Sequence, residues 1–296
     1  MQQKINEAVL EFMPELRDSA AASPSPSGKK LQNLADSLEM PPIEKRKSKL
    51  TTEQVRTQKL IGSLKFIEKL HPRITLVLHR LSCIMCCPPP EAWTVACAAL
   101  RDVYEERDIG ITYGGTAHAT SPRLGGRLDA NIPMDEPAVA ELEAHGDATW
   151  GDRIVYGILL TFAGGAILHQ TKKVALIVDS SMESEAIASA KAAETVSYAR
   201  EILRALGILP DGPTLIGTDN LANQRVATTV ACPTRSKHFL RRYGVLKQRI
   251  KDGECELKHV AGKEMPADFL TKWIGTAQVE KALAYATNKR NSNVNT

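Results

Sequence analysis

Along residues 51 to 115 the apolar positions recur at helical spacing. In "VRTQKLIGSLKFIEKL" Leu60, Leu64 and Ile67 fall three and four apart, and Thr51 or Thr52 in "LTTEQ" offers a cap. "PRITLVLHRLSCIMCC" predicts a second helix with Pro72 near its first turn. "PPPEAWTVACAALRDVYEE" predicts a third, with Trp93, Cys97 and Leu100 on one face, and "IGITYGG" reads as a strand entering a turn. From 139 the period changes. "AVAELEAHGDA", "RIVYGILLTFAGG" and "AILHQTKKVALIVDS" predict three successive strands, the last with a bend. "SMESEAIASAKAAETVSYAREILRALG" predicts a long alanine-rich helix closed by Gly207. "PTLIGTDN" is a fourth strand, "SKHFLRRYGVLKQRIKDG" a helix, "ECELKHVAG" a fifth strand, and "EMPADFLTKWIGTAQVEKALAYAT" a single final helix. Adjoining strands favour an antiparallel meander, and helical crossovers favour parallel pairing. The expected class is α/β: a mixed five-stranded sheet flanked by helices, preceded by a small helical unit.

The flanking segments complete this organisation. Residues 1–50 read as an N-terminal segment, with a short amphipathic helix over 1–17, followed by flexible linker that runs toward 58 through "SAAASPSPSGKK" and "PPIEKRKSKL". The helical unit covers 51–115, a Gly- and Pro-rich linker 116–138, the α/β domain 139–287 and a disordered tail 288–296. Composition fits a soluble globular chain, with 43% apolar and 24% charged residues among 296. A net charge of +4 is too mild to imply nucleic acid by itself. The six cysteines do not suggest a disulfide framework, and "CIMCC" lacks a second ligand pair at finger-like spacing, so buried free thiols in a reducing compartment are expected. "MQQKINEAVL" is not a signal peptide, and no apolar run approaches the roughly 20 residues of a membrane span.

Candidate chemistry enters with the acids at element boundaries. Asp147 lies in "AHGDATWG", Glu185 in the first turns of the long helix, Asp219 at the end of strand four and Asp268 near the start of the final helix. Carboxylates converging on one edge of a sheet would repel one another unless cations sat between them, and hard ions such as Mg²⁺ take oxygen ligands. Two such ions about 4 Å apart can hold the attacking and leaving oxygens of a phosphodiester. Each acid also has a structural reading. Glu185 and Asp268 fit ordinary capping, Glu183 competes with Glu185, Asp152 competes with Asp147, and Asp219 alone fits a helix cap.

"GDATWGDRIVYGILLTFAGGAILHQTKK", then "VDSSMESEAIA", "GTDNLA", "TRSKHFLRRY" and "ADFLTK", resemble in order and spacing the ribonuclease H domain of Ty1/copia-type LTR-retrotransposon polyproteins. "QKLIGSLKFIEKLHPRITLVLHRLS" and "PPPEAWTVACAALRDVYEERDIGITYGG" resemble the reverse-transcriptase connection region just upstream, so the likeness spans about 55 to 285. The resemblance implies a ribonuclease H-like sheet. It also implies that Asp147, Glu185, Asp219 and Asp268 bind two Mg²⁺ or Mn²⁺ ions and cut the RNA strand of an RNA–DNA hybrid, leaving a 3′-hydroxyl and a 5′-phosphate. It selects Glu185 over Glu183. Departures from the family pattern are Thr149 in place of a second acid, Ala186 in place of an aromatic, and "AGKEM" without a histidine before the last helix. The last leaves proton shuttling or product release to Lys263 or solvent, with His259 read as structural.

Between Arg235 and Lys251 seven basic residues occur with no acid. Lys237, His238, Arg241 and Arg242 are the expected contacts to hybrid backbone, where Lys and Arg give affinity without reading sequence. The Tyr-x-Asp-Asp stretch of a polymerase is absent, as are protease and integrase motifs. The chain therefore reads as a polyprotein fragment, a truncated copy or a domesticated remnant, with a separate polymerase domain as a possible partner. An intracellular site is expected, either cytoplasmic in a virus-like particle or nuclear. The alternative functions are an inactive nucleic-acid-binding remnant and a purely structural connector.

Overall fold

The computed structural model describes residues 1–17, 28–113, 141–151, 153–175, 177–229 and 240–288, with backbone only at 28, 29 and 240–242. Asp152 and the expected linker 116–138 lie outside the described residues. The chain divides into two compact units, Met1–Gly110 and Ile111–Thr296. Among the described residues no helix is long and apolar enough to cross a membrane.

The first unit is helical. Helices α1 (Gln2–Phe12), α2 (Gly28–Asp36), α3 (Thr52–Ile67), α4 (Thr75–Ile84) and α5 (Pro90–Glu105) enclose an apolar core that includes Ile5, Val9, Leu60, Leu64, Ile67 and Leu100. Thr51 is the cap of α3: its hydroxyl accepts from the Gln54 amide while the Gln54 side chain accepts from the Thr51 amide. Pro72 opens a 3-10 turn ahead of α4, and Pro90 stands at the first position of α5. The structure departs from the linker expected over 18–58. Within that stretch α2 forms, because Leu31, Ala35 and Leu38 make a buried stripe at helical spacing that the Ser- and Pro-rich residues before it conceal. The expected strand at "IGITYGG" is absent over 109–113. The five described cysteines are free, but only Cys255 is buried. Helix α4 stops at Ile84, which leaves Cys86 exposed and Cys87 half-buried.

The second unit holds the sheet. Strands β1 (Leu142–Ala148), β2 (Val155–Phe162), β3 (Gly165–Lys173), β4 (Thr214–Thr218) and β5 (Cys255–His259) lie in the order β3-β2-β1-β4-β5. β1–β2 and β2–β3 pair antiparallel, and β1–β4 and β4–β5 pair parallel, which is the mixed five-stranded sheet expected from the sequence. β2 turns into β3 through Ala163 and Gly164, both at positive φ. Helices α6 (Ser181–Ala205), α7 (Leu221–Thr228), α8 (Leu240–Lys251) and α9 (Thr276–Thr287) cover the sheet.

The two faces of β1 explain its odd composition. Ala144 and Ala148 point into the core shared with α6, with Ile158, Ala188 and Val196. The small residues let the helix lie flush: a Cβ at Gly146 would stand 3.2 Å from the Ala188 carbonyl oxygen. Glu143, His145 and Asp147 alternate onto the opposite face. There the Tyr285 hydroxyl of α9 donates to Glu143 Oε2 at 2.8 Å and lies 3.0 Å from His145 Nε2, so one tyrosine serves two buried polar side chains of a central strand.

The final segment is not one helix. Met265 to Thr271 forms tight turns, including the 3-10 turn Asp268–Leu270, and α9 begins only after Gly275. The Asp268 carbonyl accepts from the amides of both Thr271 and Lys272 at 3.0 Å, so the turn closes on itself instead of propagating. The continuous apolar periodicity of the segment comes from burying the turn and the helix against the same face of the sheet.

Candidate metal centre

β1 and β4 are parallel neighbours, so their carboxyl ends open on one edge of the sheet, where ligands of such sheets gather. Asp147 is the penultimate residue of β1, and Asp219 follows the last residue of β4. α6 starts at the same edge. Ser180 caps it by accepting from the Glu183 amide at 3.2 Å, and Glu183 accepts from the Asp179 amide at 3.1 Å. Glu183 is thus spent on the helix start, and Glu185 is the acid presented to the strands. Asp219 is not a cap: Asn220 fills that place for α7, accepting from the Asn223 amide at 2.9 Å.

Asp147, Glu185 and Asp219 each offer an oxygen within 4.8 Å of the other two. Asp268 is not one of this group of three. It sits in the turn beyond Asp147, and the Lys272 ammonium bridges the gap. Lys272 Nζ lies 3.4 Å from Asp147 Oδ1 and 3.1 Å from Asp268 Oδ1, the latter an ion pair rather than an aligned hydrogen bond. The other oxygen of Asp147 accepts from the Thr271 hydroxyl. Glu185 accepts one long bond, 3.4 Å, from the Ala148 amide, while its Oε2 is buried with no hydrogen-bond partner among the described residues.

The electrostatics follow from crowding. Burial pushes the Asp147 carboxyl up to about 7, with Lys272 opposing and Asp268 and Asp219 adding to the rise. Burial, then Asp147 and Asp219, push Glu185 up to about 9. Burial raises Asp268 against the pull of Lys272. For Lys272 burial acts downward, but Asp147 and Asp268 outweigh it and its pKa is raised. Hard oxygen donors, a fully buried Asp147 and an orphaned Glu185 oxygen fit a divalent cation.

Thr149 is turned away from this chemistry. Its hydroxyl accepts from the Val155 amide at 3.1 Å and donates to the Arg153 carbonyl at 3.2 Å, so it pins the β1–β2 turn. Ala186 is buried in the core. His259 Nε2 lies 3.1 Å from the Asp219 carbonyl oxygen, a contact that ties β5 to the end of β4. Lys263 is exposed. Lys237 and His238 lie outside the described residues, and Arg241 and Arg242 belong to α8 with backbone only. Farther along α8, Lys247 donates to the Thr229 carbonyl and Arg249 to the Ala193 carbonyl, so these two of the seven basic residues are tied up internally. Thr271 and Lys272 were missed by the sequence reading. Their spacing of three and four from Asp268 in "DFLTK" was the signal, since one tight turn brings those positions together.

No family model matches the chain. Among curated proteins it is similar to the retrovirus-related Pol polyprotein from transposon RE2 of Arabidopsis thaliana, 25% identical over 218 residues, covering 72% of this chain and 14% of that one. It is also similar to the corresponding polyprotein from transposon TNT 1-94 of Nicotiana tabacum, 25% identical over 185 residues, covering 62% and 13%. The chain therefore spans about one seventh of the length of these relatives. Among solved structures it is similar to LC11-RNase H1 in complex with RNA/DNA hybrid, with 15% identity, a TM-score of 0.33 and coverage of 48% of this chain and 99% of that one. The foamy viral protease-reverse transcriptase in complex with RNA/DNA hybrid gives 12% identity, a TM-score of 0.35 and coverage of 84% and 28%. The sequence relatives are thus retrovirus-related Pol polyproteins of plant transposons, the kind of relative that the resemblance to Ty1/copia-type polyproteins implies.

Proposed function

We propose that the second unit is a ribonuclease H that cuts the RNA strand of an RNA–DNA hybrid, with Mg²⁺ as the working ion and Mn²⁺ as a substitute. The observation that carries this reading is the trio of buried Asp147 and Glu185 with half-buried Asp219 at the carboxyl edge of two parallel strands, where Glu185 Oε2 has no hydrogen-bond partner among the described residues. A fold gains nothing by crowding two buried carboxylates and a half-buried third within reach of one another. Bound divalent ions would supply charge neutralisation at the scissile phosphate and lower the pKa of the attacking water. Asp147 and Asp219 hold ligand oxygens in place from strand ends, Glu185 faces them from the first turns of α6, and Thr271 fixes the orientation of Asp147. Water adds to phosphorus as the P–O3′ bond breaks, so the products are a 3′-hydroxyl and a 5′-phosphate. Lys237, His238, Arg241 and Arg242 would hold the backbone of the hybrid, and a polymerase domain elsewhere would supply the DNA strand.

One observation favours a second reading, binding without cutting: Asp268 stands apart from the trio with Lys272 in the gap. A labelled hybrid incubated with Mg²⁺ and with EDTA separates the two. The expected result is Mg²⁺-dependent loss of the RNA strand, abolished in Asp219→Asn, which keeps shape and removes ligand charge. Gel retardation with an intact RNA strand would establish binding without cutting and overturn the proposal.

A further inference from the structure

We infer that Lys272 is the resident counter-ion of the carboxylate site: it holds the gap between Asp147 and Asp268 in the metal-free protein and yields it when a divalent cation binds. This rests on the metal-site reading above and adds to it a residue that the sequence comparison of acids does not contain.

Lys272 reaches two carboxylates that belong to different elements, Asp147 on β1 and Asp268 on the turn before α9. Asp147 is fully buried, whereas the Lys272 side chain remains 39% exposed, so its ammonium enters the site from the solvent side. The Asp268 carbonyl accepts from the Lys272 amide at 3.0 Å, so the lysine and Asp268 ride on one turn. Thr271 anchors that same turn to the other oxygen of Asp147. The carboxylates are therefore assembled before any ion arrives, and the lysine side chain is the movable part. Its flexible four-carbon stem can swing outward without disturbing the turn.

Like charge favours the exchange. A dication shared by Asp147, Glu185 and Asp219 would draw on the same Asp147 carboxylate whose Oδ1 lies 3.4 Å from the ammonium. The two cations compete for one carboxylate. When the ammonium leaves, Asp268 loses its ion-pair partner and becomes available as a fourth donor. Lys272 thus acts as a positioning residue that keeps Asp268 close while keeping it out of the ligand set.

The test is Mn²⁺ binding to the full chain by titration calorimetry, in wild type, Lys272→Met and Lys272→Arg. Removing the competitor should tighten Mn²⁺ binding by about ten-fold, within the usual range of site-to-site coupling, while Lys272→Arg stays near wild type. The same Lys272→Met protein should melt earlier than wild type in EDTA and regain more on adding Mn²⁺. A residue that merely braces the fold would lower both stability and metal affinity, and that outcome overturns the inference. Wild-type protein that binds no Mn²⁺ removes the metal-site reading itself, a different failure. Should Lys272→Met not fold, lysine acetylation of the wild-type chain, read by mass spectrometry, gives the answer. Lys272 should be protected in EDTA and reactive with Mg²⁺, and equal or lower reactivity with Mg²⁺ overturns the proposal.

Discussion

Gly157 stands directly across from Asp147 in the β1–β2 ladder, and its missing side chain makes room for the turn that carries Asp268 and Lys272. A Cβ built at Gly157 would meet Leu270 Cβ at 2.7 Å and Thr271 Cγ2 at 2.8 Å. Non-bonded carbons rest at roughly 3.5–4.0 Å, so in Gly157→Ala the turn must retreat by about 1 Å. Neither neighbour can give easily: Leu270 Cβ is fixed to the backbone, and Thr271 is β-branched and bonded to Asp147. Overpacking of this kind costs about 1–3 kcal/mol. For a domain of this size that is a fall in melting temperature of roughly 2–12 °C. A shift of about 1 Å in the groups that orient a reacting centre costs on the order of 100-fold in rate. Circular dichroism melts in EDTA and Mg²⁺-dependent hybrid cleavage measure the two effects. Gly62→Ala is the matched control, because nothing lies within 4 Å of that Cβ inside α3; it should stabilise by about 0.5–1 kcal/mol. A Gly157→Ala protein with wild-type melting temperature and wild-type cleavage would refute the view that this turn is held by close packing on β2.

Three further expectations follow from the same site. The raised carboxyls of Asp147, about 7, and Glu185, about 9, bind protons more tightly folded than unfolded. Their stabilising protons are fully held below about pH 4 and lost as pH rises through those values, so urea midpoints in EDTA should fall from pH 5 to pH 9. A flat or rising profile would contradict the crowding, and Mg²⁺ should reduce the slope. Glu185→Gln removes one strained ionisation, so at pH 8 in EDTA it should melt higher than wild type while losing both cleavage and stabilisation by Mg²⁺. Charge reversal at Arg241 and Arg242 should flatten the salt dependence of hybrid binding, and an unchanged slope would take α8 out of the interface.

The sheet was legible because β2 is a nearly continuous apolar run, β5 alternates, and the long helix between β3 and β4 lets the chain cross back into parallel pairing. β1 was the weakest strand in the sequence, since Glu143, His145 and Asp147 look wrong for a buried centre. Their partner, Tyr285, lies 140 residues from His145, and no local pattern announces such a bond. The break before α9 was hidden for a related reason: turn and helix bury against the same face, so the apolar period runs on through Gly275. The sequence offers all four acids together, and the coordinates bring oxygens of Asp147, Glu185 and Asp219 within 4.8 Å of one another. That Lys272 lies between Asp147 and Asp268 needed coordinates, because it is a matter of side-chain reach rather than spacing.

The crowding of the carboxylates also bears on how the site can be re-engineered. Burial opposes ionisation of Asp147 and Glu185, so the protein folds in spite of these two charges. The two are not equally dispensable. Thr271 and Lys272 both lean on Asp147 and would lose a partner with it, whereas Glu185 Oε2 has no hydrogen-bond partner among the described residues to lose. A designer seeking a stable scaffold without the charge would therefore begin at Glu185 and leave Asp147 alone.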